Sequence, residues 1–310
     1  MRNLPGLFWN QNPNFIFKNP EDITTGDYGD SSDKDERYWA AAQLYRATGN
    51  SKYENALSSM SVYTGMDWYT IGYYGNIAIL TADNISSDSS VYTRAKNAII
   101  TQANSFVTTS NNSPCGVAIT NYKLGSNMII ATSGIILGLA YDTTNDSKYL
   151  EAANAQFDYL LGSNPVGECF VTGYGTVSPE NPHHRPSMAV GKAMKGMLVG
   201  GVNSDLDDSA AKQYCQGLPA AKCYVDNSES YSTNEITIYW NSPLTYLLSL
   251  TENSGIETVA GDVNADGAFN VADVVALQKW LLAVPDVELA DWKTGDLYQD
   301  DVLKATPHIS

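Results

Sequence analysis

The strongest constraint on how this 310-residue chain can fold is an internal echo. Tyr45-Arg-Ala-Thr-Gly-Asn-Ser-Lys-Tyr53 matches Tyr141-Asp-Thr-Thr-Asn-Asp-Ser-Lys-Tyr149 at five of nine positions. Each copy reads as a short turn joining two antiparallel helices, the unit from which α-hairpin arrays are built. The flanks agree. Asp35-Glu36 opens a run of Tyr38, Trp39, Ala42 and Tyr45 at helical spacing, and Gly49 closes it. Further helices are predicted over 51–60, 90–109, 127–141, 147–161 and 187–199. Residues 1–253 therefore read as one all-α domain, and its long Gly- and Pro-rich loops, such as 162–186, are where binding chemistry usually sits. A polar linker is expected over 254–260, with a second small module over 261–310.

Charge and cysteine usage narrow the function. A net charge of −16 with a pI near 4.4 argues against nucleic acid and anionic membranes as partners. No stretch approaches a membrane span, and Met1-Arg-Asn-Leu-Pro-Gly-Leu-Phe-Trp9 lacks the apolar core of a signal peptide. The four cysteines, Cys115, Cys169, Cys215 and Cys223, fit no zinc or redox spacing. Buried free thiols are expected, with a Cys215–Cys223 disulfide as the alternative.

The chemistry concentrates in Tyr224-Val-Asp226 followed by Tyr231-Ser-Thr-Asn-Glu235-Ile-Thr237-Ile-Tyr-Trp240-Asn241-Ser242. Two carboxylates nine residues apart lie among aromatic rings that can stack on sugar faces. A carboxyl desolvated by such neighbours has a raised pKa and can serve as a proton donor. A second cluster, Val171-Thr-Gly-Tyr174-Gly-Thr-Val-Ser-Pro-Glu-Asn-Pro-His183-His184-Arg185, holds two of the three histidines beside an arginine. Imidazole and guanidinium donate to sugar hydroxyls, and Tyr174 offers a stacking face. The bland alternative is a surface loop in which two histidines happen to be adjacent.

The Asp226-to-Ser242 segment resembles the C-terminal signature of glycoside hydrolase family nine, the inverting cellulases. The resemblance implies an (α/α)6 barrel, β-1,4-glucan hydrolysis, Glu235 as the general acid, and Asp226 orienting or tuning the site. It maps His183 and Arg185 onto the substrate cleft, with His184, Tyr174 and Tyr231 beside them. Tyr122-Lys-Leu-Gly-Ser-Asn127 resembles a cleft loop of these enzymes, which implies a sugar contact for Asn127. Several family members hold a structural calcium at an Asp-Glu pair equivalent to Asp35 and Glu36, with Asp67 a candidate third carboxylate. Helix-capping acids are the competing reading of the same residues. Cys169 and Val177 depart from the family pattern, which bears on substrate contacts rather than class.

An inverting glycosidase also needs a general base. The family draws it from an Asp-x-Gly-Asp element that Asp27-Tyr-Gly-Asp30 imitates. The residues after it, through Trp39, resemble the middle of the barrel rather than its beginning. The expectation is therefore a partial (α/α)6 barrel over about 15–253 that lacks the base. The chain would be a fragment of a longer secreted protein, since it carries no signal peptide itself.

In the last module, Asp262-Val-Asn264-Ala-Asp266-Gly267-Ala268-Phe-Asn270-Val-Ala-Asp273 matches a calcium loop, with oxygen ligands at alternate positions and Gly267 at the sharp turn. An amphipathic stretch follows. With Asp273 in place of the usual Glu, this EF-hand-like loop resembles the dockerins of cellulosomal enzymes, which implies calcium binding and a cohesin partner contacted through Val271 and Ala272. The second loop, from Asp296, is degenerate: Asp301 stands where Gly is wanted, Lys304 at a ligand position and Pro307 at position 12. A non-catalytic carbohydrate-binding or scaffold-docking remnant is the alternative function. A helical calcium sensor is excluded, because sensors pair intact loops.

Overall fold

The computed structural model describes residues 16, 18–23, 30–67, 69–253, 261–264, 268–285, 287–290 and 292–295. Asp27, Asp266, Gly267 and the second loop from Asp296 lie outside them. The chain divides into two compact units, Met1–Leu248 and Ser249–Ser310.

In the first unit the helices are α1 (Lys34–Thr48), α2 (Ser51–Ser59), α3 (Tyr73–Leu80), α4 (Ser90–Asn111), α5 (Ser126–Thr144), α6 (Ser147–Leu160), α7 (Arg185–Val190), α8 (Ser209–Cys215), α9 (Tyr231–Asn234) and α10 (Ile238–Asn253), the last running past the unit boundary. Among the described residues there is no β-strand, only two isolated bridges, Val171–Leu198 and His183–Glu235. The all-α expectation holds.

The two echoed turns do the same work. Gly49 at φ 61° and Asn145 at φ 55° end α1 and α5 in the left-handed conformation, each returning its N–H to a tyrosine carbonyl four residues back (Tyr45 and Tyr141). The next residues, Asn50 and Asp146, then cap α2 and α6 by accepting from Lys52 and Lys148 N–H. Two residues thus close one helix and open the next. Helix α5 packs against α6, and α1 packs on both α2 and α3.

Helix α5 is buried on almost every face, from Ser126 to Ala140, as expected of a helix that is apolar all round. Its Ile130, Ile136 and Leu137 share one core with Tyr159 and Leu160 of α6, Phe170, Leu198 and Val199 of the long loops, and Leu247 of α10. Each such side chain contributes roughly 1.5–3 kcal/mol by leaving water. Gly134 lets α10 approach, since a Cβ there would stand 2.7 Å from Leu247 Cδ1. A smaller core forms around Tyr38, Leu57, Ile79 and Ala95.

One predicted helix is corrected. The stretch 187–199 is helical only to Val190, because Gly191 (φ 66°) and Gly196 (φ 83°) take left-handed conformations that end it. Beyond it Leu198 bridges Val171, and Gly200 and Gly201 donate their N–H groups to the Glu235 and Thr233 carbonyls. In the second unit, α11 (Val271–Leu281) is the helix after the segment expected to bind calcium, and Trp292–Gly295 forms a 3-10 turn. Among the described residues no helix is long and apolar enough to cross a membrane.

Candidate active site

Glu235 sits at the C-terminal end of α9, where the chain turns extended (φ −68°, ψ 153°). Two glycines hold it from below. Gly200 N–H donates to the Glu235 carbonyl at 3.0 Å and Gly201 N–H to the Thr233 carbonyl at 2.8 Å. Only glycine fits there. A Cβ on Gly200 would lie 2.8 Å from the Trp240 ring, and Gly201 adopts φ +88° with its Cβ direction 2.3 Å from Asn127 Cγ. Trp240, fully buried, lies against Gly200, and Asn241 fixes the same segment by accepting from Leu198 N–H at 2.8 Å.

Asn127 is a correction. The sequence reading places it against sugar, but the side chain is 0% exposed and donates to the Val199 carbonyl at 2.9 Å, while its N–H donates to Gly200 O. It holds the Val199–Gly200 segment in place.

The second loop meets the acid edge to edge. His183 and Glu235 are partners in a parallel bridge, with His183 N–H donating to Asn234 O at 2.8 Å. The ring is oriented by Nδ1, 2.5 Å from the Ser228 carbonyl, an arrangement in which Nδ1 carries the proton. Burial pushes the half-buried Glu235 carboxyl above its ordinary value, and the His183 charge partly opposes this. A carboxyl held towards its neutral form is what a proton donor requires.

Asp226 holds loops together. It accepts from the N–H of Glu180 (2.8 Å) and Asn181 (2.9 Å), and from the Asn234 side-chain amide (2.8 Å). Its geometry is that of an orienting group rather than a proton donor to sugar. A carboxyl missed in the sequence, Glu168, lies close by: burial and the Asp226 charge raise its pKa.

Tyr174, between Gly173 and Gly175 at φ 75°, is 56% exposed, as a stacking platform would be, and Arg185 is exposed at the start of α7. His184 instead turns to Ser187, with Nδ1 2.9 Å from its hydroxyl. Tyr231 donates its hydroxyl to Asp207 O and leaves its ring partly exposed. Asp208 was also missed. Its buried carboxylate accepts from Ala211 N–H, capping α8, and from Ser230 Oγ and Ser232 N–H, anchoring the acid's own turn. Burial alone would raise its pKa, but these donors outweigh it and hold the carboxyl below 3.8. Ordinary-looking Asp and Ser residues gave no sequence signal for this.

Among the described residues no three His, Cys, Asp or Glu side chains converge as a ready-made metal site. Asp35 and Glu36 nonetheless fit a hard cation in part. Asp35 is buried and accepts from Ile71 N–H at 2.7 Å, while Glu36 Oε2 is buried with no hydrogen-bond partner among the described residues. Burial, and after it the neighbouring Asp35 and Asp30, push the Glu36 carboxyl up to about 7, as anions waiting for a countercharge would be. Asp33 pairs with Arg37 at 2.7 Å and its side chain caps no N–H, whereas Asp35 and Glu36 lie in the first turn of α1, where acids favour the helix dipole, so the competing reading also keeps its support. Asp67 accepts from Tyr69 and Thr70 N–H within its own turn.

In the second unit, Asp273 is buried and accepts from the N–H of Asn270 (2.8 Å) and Asn264 (3.2 Å), while Asn270 caps α11 through Ala272 N–H. Amide donors offset the charge of Asp273, which stays below its ordinary value through the Asn270 and Asn264 N–H groups and a hydrogen bond with Asp262. Ala268 contributes its carbonyl as acceptor for Asn270 Nδ2. Of the other expected ligands, Asp262 is buried and Asp266 lies outside the described residues. All four cysteines are free thiols, with Cys169, Cys215 and Cys223 buried.

The glycosyl hydrolase family 9 model matches residues 8–248, and the chain belongs to that family of glycoside hydrolases. It is 33% identical over 257 residues to a cellodextrinase of Butyrivibrio fibrisolvens, covering 76% of this chain and 46% of that protein. It is 32% identical over 287 residues to endoglucanase D of Acetivibrio thermocellus, covering 89% and 42%. Among solved structures, a thermostable endoglucanase from Alicyclobacillus acidocaldarius superimposes with a TM-score of 0.69 at 33% identity, over 76% of this chain and 46% of that one. The paired helices are the (α/α)6 architecture of the family. The chain spans less than half the length of these relatives.

Proposed function

We propose that residues 1–253 carry the acid-bearing part of a catalytic domain that hydrolyses β-1,4-glucosidic bonds in cellulose or related β-glucans with inversion. The relatives named as cellodextrinase and endoglucanase favour this substrate class. The observation that carries the reading is Glu235, half-buried with a raised pKa and locked beside His183 by a backbone bridge. In this reading Glu235 protonates the leaving oxygen, His183 and Arg185 donate to sugar hydroxyls, and Tyr174 and Tyr231 stack on the sugar. Asp226 keeps the His183 loop in register.

Inversion needs a carboxylate on the opposite face, about 6.5–9.5 Å from the acid. No residue is assigned that role, so residues 1–310 alone are expected to hydrolyse poorly. Reducing-sugar release from soluble β-glucan by the purified chain tests this. Release abolished by Glu235→Gln identifies the acid and brings a base such as Asp27 or Asp30 into play. Release untouched by that change sinks the assignment.

We further propose that residues 261–310 are a dockerin-like module that takes calcium through Asp262, Asn264, Asp266, the Ala268 carbonyl, Asn270 and Asp273, with a cohesin as partner, and that the intact protein works outside the cell in a cellulosome. The buried Asp262–Asp273 pair and the capped α11 support the calcium loop. Asp35 and Glu36 are proposed as ligands of a second, structural calcium. Isothermal titration with calcium, then with a purified cohesin, tests both partners. No heat in either titration overturns them.

A further inference from the structure

Asn234 directly precedes Glu235 and is 0% exposed, yet every hydrogen-bonding group it has is used. Its side-chain oxygen accepts from the Tyr224 hydroxyl at 2.8 Å. Its amide nitrogen donates to the Asn181 carbonyl at 2.6 Å and to Asp226 Oδ1 at 2.8 Å. Its own carbonyl accepts His183 N–H, and its N–H donates to Ser230 O. One buried amide thus touches the acid turn, the loop carrying His183, the orienting carboxylate and the aromatic core. Asn181 and His183 lie on either side of Pro182, which has no N–H, so the loop's attachment at this point runs through the two flanking residues.

We infer that Asn234 is a positioning residue of the site, the clamp that sets the spacing between the acid Glu235 and His183. The inference rests on the reading of Glu235 as the acid and deepens it. An amide suits the role as no other side chain of its size does. Its oxygen must face a hydroxyl donor while its nitrogen faces two acceptors, and the ordered Tyr224 hydroxyl selects that orientation. Aspartate would keep the acceptor but lose both donors and set a second carboxylate against Asp226. Leucine would strand Asp226 and the Asn181 carbonyl without their shared partner. Tyr224 and Ser230 are buried and Asp226 and His183 half-buried, so at those groups losing the clamp loosens the loop rather than letting water replace the amide in place, although Asn181 itself is exposed.

The test reads the electrostatic coupling of the two groups rather than stability. The titration of Glu235, followed by carboxyl carbon NMR in the 310-residue chain, is compared with that of His183→Gln. The His183 charge lowers the Glu235 pKa, and Glu235 in turn acts on Tyr231, so removing the imidazole should raise the Glu235 midpoint. The same pair of measurements is repeated with Asn234→Ala. The expected result is that the rise caused by His183→Gln falls about twofold or more, as in a double-mutant cycle whose connecting element is gone. Tyr224→Phe, which frees the amide to rotate but keeps the ring, should reduce it less. Asn234→Asp decides the same point where Asn234→Ala does not fold, judged by circular dichroism. An undiminished rise in a folded Asn234 variant overturns the inference. A wild-type chain in which His183→Gln does not move Glu235 instead overturns the pairing of acid and histidine on which it rests.

Discussion

His183 and Glu235, 52 positions apart in the chain, lie on facing rungs of one parallel bridge, and the residue before the acid accepts the histidine's N–H at 2.8 Å. The distance between acid and imidazole is therefore set by backbone, not by two flexible side chains finding each other. Replacing Glu235 by Gln keeps this frame and removes only the proton. In a polypeptide of this family that hydrolyses β-1,4-glucan, the expected loss in kcat is about 10²–10⁴-fold, with KM little changed. Steady-state kinetics on an unactivated glucan measure it.

Asp208→Ala removes the α8 cap and the two donors' acceptor at the acid turn. The expected cost is about 1–3 kcal/mol in urea unfolding, because Ser230 and Ser232 are left buried beside an empty position. The pH dependence follows in sign. The folded carboxyl is held below 3.8, so its contribution is present above that value and is lost as the pH falls through the lower, folded value. Wild type should lose stability relative to Asp208→Asn only in that acid window.

Calcium at Asp35 and Glu36 should compete with a proton. With Glu36 raised to about 7, the carboxyl favours its neutral form below that pH and must release the proton to bind a cation. Calcium affinity is expected to be highest near pH 8 and to weaken towards pH 5.5, and Glu36→Gln should flatten that dependence. Calorimetric titration at the two pH values checks both. A pH-independent affinity for wild type would place the ion elsewhere.

Gly201→Ala should be among the most damaging single changes. It forces a Cβ to within 2.3 Å of Asn127 Cγ at a backbone φ of +88°. A loss of about 2–4 kcal/mol is expected in thermal or urea unfolding.

Asp273→Ala should weaken α11 even without metal, since it removes the acceptor of both Asn264 and Asn270 N–H. Far-ultraviolet circular dichroism of residues 249–310 in chelator should show less helix for the variant than for wild type. Millimolar calcium should then restore helix to wild type and not to the variant.

Much of this was legible in the sequence because it is written in short-range chemistry. The echoed turns announce their left-handed Gly49 and Asn145, and the spacing from Tyr224 to Asn241 singles out Glu235 as the proposed acid. The missing parts depend on distant partners. Asn127 sits in a Gly-Ser-Asn run that looks like a cleft loop, and only the fold shows it facing Val199. Asp208 and Asn234 carry no local signal, because what makes them matter is the convergence of hydroxyls and amides from elsewhere. The 187–199 stretch has helical composition, but two glycines in left-handed geometry outweigh it.

The clamp around Asn234 also bears on the order in which the molecule comes together. The α-hairpins close turns of two residues, whereas Asp226 reaches Asn181 across 45 positions and Asn127 reaches Val199 across 72. Loop closure over such spans carries an entropic cost that local helix pairing does not. The hairpins are therefore the early-forming elements, and the acid and its histidine meet only when the last long segments dock. A chain caught midway would have most of its helix and none of its site, so signals from Glu235 or His183 would report completed folding where helix content could not.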